Sequence, residues 1–315
     1  MTTWSRAESG PASASDQAAR LRQLVRTPRP EAVETKLAPI IAIASGKGGV
    51  GKSSISVNLA ISLAQSMREV VLLDGDLGLA NTDILCGRLT ADHLGDVLDG
   101  ERTVEEVSID VCPGLTLIPG GSGVARLAQL SGRDRVRLVT VLDQLRRDRD
   151  VMIIDCGAGI GTVVRALACA ADRLMVVTTP EPTSVADAYG LIKTLSLSGG
   201  RVPPIGLIVN QARDDADARS VHRRIAAVSD RFLGEQPTFI GAVPQDPRVA
   251  EAARRQKPFV LGEPRCRASR RVRALGASIA AEMALQRSRD GHETGKVRRF
   301  LRLCNRHRPR GPSLE

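Results

Sequence analysis

Ile40-Ile41-Ala42-Ile43-Ala44-Ser45-Gly46-Lys47-Gly48-Gly49-Val50-Gly51-Lys52-Ser53-Ser54 joins an apolar run to a glycine-rich turn, and ISVNLAISLAQ follows at once. The apolar run reads as a strand and the stretch after the turn as a helix. Gly46 to Ser53 satisfies GxxxxGK[ST], and a strand before with a helix behind is the setting that motif requires. Glycines let backbone N–H groups curl around phosphate oxygens, and the helix adds the positive end of its dipole. The motif gives Lys52 the β- and γ-phosphates and Ser53 a Mg²⁺ ion, with Gly46, Lys47, Gly48, Gly49, Val50, Gly51 and Ser54 completing the nucleotide cradle. Lysine is scarce in this chain, six against 39 arginines, so a chance match is improbable.

Outward from this loop the pattern repeats. Apolar runs of four to seven residues alternate with amphipathic stretches, as in βαβ units around a parallel sheet. Strands are expected at Ile40–Ala44, Val70–Leu73, Leu115–Ile118, Val151–Ile154, Leu174–Thr178, Ile205–Val209 and Phe239–Ala242. Helices are expected at Ser53–Gln65, Arg133–Arg147, Thr162–Ala170, Ser184–Leu195, Ala216–Phe232, Pro247–Arg255 and Arg267–Gln286. No stretch between 40 and 286 reads as a linker. The expected architecture is a single α/β domain, a doubly wound and mainly parallel sheet with helices on both faces. It spans residues 39–287, after a flexible arm at 1–38 and before a basic tail at 288–315.

Bulk composition narrows the function classes. Apolar content of 42% argues against wholesale disorder, and 2% aromatic content leaves few rings for base stacking. No apolar run is long enough to span a membrane, and the first 30 residues lack the apolar core of a secretory signal. Six scattered cysteines with no CxxC pair read as reduced thiols, most of them small core residues, and indicate neither disulfides nor a zinc site. Residues 1–264 hold 31 basic and 31 acidic side chains, whereas 265–315 hold 14 and 4, so the net charge of +10 sits at the end of the chain. A basic tail on a neutral body points to anionic lipid or nucleic acid, or is simply solvated.

Further carboxylates follow the other strands. Asp74 and Asp76 in VVLLDGDLGLANTDILCG lie at a strand's carboxyl end, where open α/β sheets place ligands. An acidic residue there can orient an attacking water for in-line phosphoryl transfer. Asp155 closes VMIID, a strand delivering a carboxylate toward Mg²⁺. The small residues of CGAGI behind it suit a switch loop that moves when a phosphate leaves.

The form KGGVGKSS resembles the deviant Walker-A family of ATPases, which includes MinD, ParA, FlhG, the nitrogenase iron protein and the Mrp-type carriers. The resemblance implies an ATP- and Mg²⁺-dependent homodimer in which Lys47 reaches the partner's phosphates. Matching DxDxGxxNxD, it assigns water positioning to Asp76 and an outer-shell metal role to Asp74. It also gives adenine contacts to Asn210 and to the loop Pro244-Gln245-Asp246. On the residues alone Asn210 is a strand-ending turn residue. Iron–sulfur carriers need a cysteine pair that is not visible here, and the tyrosine kinases with this loop carry tyrosine-rich tails, whereas this chain has Tyr189 alone.

Two stretches resemble the FlhG branch (FleN, YlxH), regulators of flagellar number and placement. Asp16-Gln17-Ala18-Ala19-Arg20-Leu21-Arg22 looks like the DQAxxLR motif of its arm, which implies that Asp16, Gln17, Ala18, Arg20, Leu21 and Arg22 engage an FlhF-like, signal-recognition-type GTPase. DRLMVVTTPEPTSVADAYGLIKTL is similar to the stretch after that branch's Walker-B strand. In the tail, Val297, Phe300, Leu301 and Cys304 recur at helical spacing among Lys296, Arg298, Arg299 and Arg302, an arrangement suited to an anionic membrane interface. A solvated tail is the alternative. The expected protein is a cytoplasmic ATP hydrolase, peripheral at the inner membrane face in its ATP state. A ParA-type partitioning ATPase binding DNA through the tail is the competing reading.

Overall fold

In the computed structural model the described residues are 37–66, 69–76, 80–121, 132–199 and 202–289. The Asp16–Arg22 motif and the basic segment 296–304, with Val297, Arg298, Arg299, Phe300, Leu301 and Arg302, lie outside them.

Eight strands form one sheet: β1 (Ile40–Ser45), β2 (Val70–Gly75), β3 (Ile109–Cys112), β4 (Leu115–Ile118), β5 (Val151–Ala158), β6 (Arg173–Thr178), β7 (Ile205–Ala212) and β8 (Thr238–Pro244). Their spatial order is β3-β4-β2-β5-β1-β6-β7-β8. All pairings are parallel except β3 with β4. The helices are α1 (Lys52–Ala64), α2 (Thr82–Leu85), α3 (Leu94–Asp99), α4 (Val104–Val107), α5 (Gly132–Leu145), α6 (Thr162–Ala170), α7 (Pro182–Ser196), α8 (Asp215–Leu233), α9 (Pro247–Arg254), α10 (Phe259–Gly262) and α11 (Arg267–Arg289). The fold is the doubly wound α/β architecture.

Strand alternation divides the core in two. Ile40, Ala42 and Ala44 of β1 pack with α5 to α8 on one face, and Ile41 and Ile43 pack with α1, α10 and α11 on the other. Because the central strands are buried on both sides, they read as continuous apolar runs. All seven expected strands are present, most of them extended by one to four residues. The edge strand β3 escaped the sequence reading: it is four residues long, half-buried, and interrupted by exposed Asp110. The four-residue helices α2, α4 and α10 are likewise too short to show a 3.6-residue period. The last helix runs to Arg289, across the expected boundary after residue 287. Of the described cysteines, Cys156 and Cys266 are buried core residues, while Cys86, Cys112 and Cys169 are only half-buried.

The sheet order reverses at β1, whose neighbours β5 and β6 come later in the chain. Ligands of such sheets bind beyond the carboxyl ends of the strands at that reversal. The glycine-rich loop, Asp74, Asp76 and Asp155 all lie there.

Candidate functional site

The loop between β1 and α1 is shaped by close backbone approach. A Cβ on Gly46 would stand 2.1 Å from the Asp187 carbonyl oxygen, so the loop rests on the backbone of α7. Gly51 has φ +82°, and a Cβ there would stand 2.4 Å from Asn210 Nδ2. Beside Gly48 and Gly49 there is open space. The N-terminus of α1 has no side-chain cap, so its first N–H groups are left for an anion.

Lys52 and Asp155 form a buried ion pair, Nζ to Oδ1 at 2.9 Å, with Lys52 6% and Asp155 0% exposed. Lys52 Nζ also donates to Ser53 Oγ at 3.1 Å. Ser56 Oγ donates to the same Asp155 oxygen at 2.6 Å. The second oxygen, Asp155 Oδ2, is buried without a partner. An orphaned carboxylate oxygen close to a lysine, a serine hydroxyl and an uncapped helix end fits a Mg²⁺–triphosphate site.

Lys47 faces elsewhere. Its Nζ donates to Glu181 Oε2 and to Thr183 Oγ1, each at 2.9 Å, and Thr183 donates to Glu181 Oε1 at 2.7 Å. The Thr183 hydroxyl and then Lys47 hold the Glu181 carboxyl below its ordinary range. Glu181 and Thr183 open α7, the helix against which Gly46 packs.

Asp74 and Asp155 are register partners on β2 and β5. Asp74 Oδ1 accepts from the Asp76 amide at 3.0 Å, and Oδ2 accepts from the Asn81 and Thr82 amides at 3.0 Å and from Thr82 Oγ at 2.8 Å. Burial, and then the charge of Asp155, push its pKa up to about 6. The Asp74 oxygens thus hold the Asp76 amide on one side and Asn81 and Thr82 on the other. Asp76 is half-buried against the second switch loop, where a Cβ on Gly157 would lie 3.4 Å from the Asp76 carboxyl carbon.

On the base side, Asn210 lies inside β7 and is 8% exposed, so it is not a turn residue. Its Nδ2 donates to the Val50 carbonyl at 2.8 Å, tying β7 to the phosphate loop. Pro244 ends β8, and the Gln245 amide donates to the Ala212 carbonyl at 3.0 Å. Pro244 and Ala212 border an open cavity of about 530 Å³, rimmed by Arg267, Arg270 and Arg271. Asp246 also has a task within the fold: its carboxylate caps α9 through the Arg248 amide and accepts from the Arg267 amide, so it joins two helix starts.

Four residues of the site were missed by the sequence reading: Ser56, Thr82, Glu181 and Thr183. Ser56 stands one helical turn after Lys52, and Thr82 follows directly on the Asn81 of the switch motif, so both carried a spacing signal. Glu181 and Thr183 carried none, since their partner Lys47 is more than a hundred residues away.

The fold and the loop define a P-loop nucleotide-binding protein of the doubly wound α/β class. The model of the CobQ/CobB/MinD/ParA nucleotide binding domain matches residues 41–259, and the chain belongs to that family. Within it the chain is 35% identical over 240 residues to the antiactivator FleN of Pseudomonas aeruginosa, covering 76% of this chain and 85% of that one. It is 34% identical over 248 residues to the flagellum site-determining protein YlxH of Helicobacter pylori, covering 77% and 82%. Among solved structures it is similar to the cell division ATPase MinD of Pyrococcus furiosus, with a TM-score of 0.65, 25% identity, and coverage of 78% and 100%. Among the described residues no helix is long and apolar enough to cross a membrane.

Proposed function

We propose that the protein is an ATP-hydrolysing switch that closes into a homodimer around ATP, attaches peripherally to the inner membrane face in that state, and regulates flagellar number or placement. The observation that carries this reading is the orientation of the two loop lysines. Lys52 sits in its own cradle with Asp155, whereas Lys47 points out of it and is held by replaceable surface partners. A lysine in that position is free to serve a second copy of the chain. The name of YlxH, a flagellum site-determining protein, supports the flagellar output.

In this reading the loop amides from Gly48 to Ser53 hold the phosphates. Lys52 exchanges Asp155 for phosphate oxygens, and Ser53 and Asp155 would hold Mg²⁺, which would supply charge neutralisation on the triphosphate. Asp76 orients the water for in-line attack on the γ-phosphorus, and Asp74 holds the segment that carries Asp76. Asn210 and Pro244 contact the base. Residues 16–22 engage a signal-recognition-type GTPase, and the tail supplies a membrane helix.

The test is nucleotide-dependent mass. Asp76→Ala in saturating Mg-ATP should sediment as a dimer and in Mg-ADP as a monomer; a monomer under both conditions refutes the switch. Deleting residues 1–35 should abolish stimulation of the GTPase without altering dimer formation.

A further inference from the structure

The far ends of α7 and α8 carry side chains that the nucleotide site does not use. Both helices return the chain to the amino ends of parallel strands, β7 and β8. Their last turns therefore lie at the edge of the sheet opposite the phosphate loop. Leu197, just past α7, is 68% exposed; Phe232, in the last turn of α8, is 63% exposed and Val228 37%. The Arg231 guanidinium lies 5.3 Å from the centre of the Phe232 ring. Lys193 and Arg231 are exposed in the last turns of these two helices, and neither makes an ion pair with a described residue. Two acidic residues, Asp230 and Glu235, share this end.

The last helix finishes at the same edge. Arg173, the first residue of β6, is ion-paired with Glu282 near the end of α11, and the basic segment 296–304 follows in the sequence. Exposed Phe and Leu flanked by unpaired Arg and Lys suit the headgroup level of an anionic bilayer, where rings reach the acyl boundary and cations meet lipid phosphates. A nucleic-acid backbone would use the cations and leave Leu197, Val228 and Phe232 in water.

We propose that the α7–α8 end of the folded body is a second membrane-contact surface, fitted to anionic lipid and acting beside the tail. This rests on the membrane reading above. A single amphipathic helix anchors weakly, and a further contact on a rigid body adds to it as linked binding sites do.

The test exploits the chain's single tryptophan. Phe232→Trp in a Trp4→Phe background, with ATP and phosphatidylglycerol-containing vesicles, should give a blue-shifted emission that brominated lipid quenches. Pure phosphatidylcholine vesicles should leave it unchanged. Lys193→Ala with Arg231→Ala in the full chain should weaken vesicle capture roughly thirtyfold, given about 1 kcal/mol for each basic residue at an anionic surface. Retained ATP binding confirms that the variants are folded. Vesicle capture with an unshifted, unquenched emission at position 232 overturns this surface and leaves tail attachment standing. No capture of the unaltered chain overturns both readings. Capture by duplex DNA but not vesicles, lost with the same two substitutions, overturns the lipid assignment.

Discussion

Lys47 and Lys52 belong to one loop and meet opposite surroundings. Lys52 is sealed against Asp155, whose side chain has no exposure, while Lys47 shares a surface pair with Glu181, whose side chain is 56% exposed. A buried pair is locked by the cost of leaving either charge alone in low dielectric. An exposed pair is screened by water and contributes little to stability. The difference teaches that Lys52 can leave Asp155 only when a phosphate oxygen takes its place, whereas Lys47 is free to move, although the motif writes both with the same letter.

The largest effect should come from breaking the buried pair. Lys52→Ala leaves Asp155 buried and unpaired, and is expected to destabilise the fold by about 3–5 kcal/mol, readable in urea unfolding, and to abolish nucleotide-induced stabilisation. If Lys52→Ala unfolded with the native midpoint, the sealed pair would be an overestimate and the contrast would collapse.

The buried side extends to Asp74, and pH sharpens it. Its carboxyl is raised from 3.8 to about 6 in the folded protein, by burial first and by Asp155 second. A raised carboxyl means that the folded state binds the proton more tightly than the unfolded chain does. This group therefore favours folding below about pH 4, loses that contribution as pH rises through 6, and opposes folding above it. Unfolding free energies of the native chain and of Asp74→Asn, compared between pH 4 and 7, should diverge by about 2–3 kcal/mol, with the native chain losing relative stability as pH rises. Parallel curves would mean that the four donors around Asp74 outweigh its desolvation.

Lys47→Ala probes the movable partner. Its unfolding midpoint should match the native one, and it should still bind ATP through Lys52 and the loop amides. ATP-dependent dimerisation of the Asp76→Ala background should fall at least tenfold, the loss of a charge-assisted contact to phosphate. A stable, nucleotide-free variant would show that Lys47 serves its own cradle instead.

How much of this was legible follows from the range of each interaction. The loop, its strand and its helix are local, and the glycine spacing fixes them without the rest of the chain. Asp155 and Asp74 were legible as strand ends because apolar runs precede them. Their partners were only partly so: Ser56 and Thr82 lie within a turn or a motif of known groups, yet nothing local says that Ser56 faces Asp155. Glu181 and Thr183 meet Lys47 because α7 packs on Gly46, a contact between elements that periodicity does not encode. Asp246 was read only in part for a related reason. As an acid before a proline it carried a helix-cap signal, and the structure uses it as that cap.

The smallest expected effect bears most directly on the comparison. Glu181→Gln keeps an acceptor for Thr183 and Lys47 but removes the charge that holds the lysine at home. The fold should be unaffected, because the pair lies at the surface. If Lys47 must leave Glu181 to reach a partner's phosphate, releasing it lowers the cost of closing the dimer, and the ATP-dependent dimer should tighten about threefold, a shift of the size an exposed ion pair can supply. The opposite sign is equally informative. A dimer weakened by Glu181→Gln would place Glu181 inside the closed assembly, holding Lys47 in position rather than holding it back. The sign of that change, measured by sedimentation at matched ATP, decides whether the surface pair is a latch or part of the closed site.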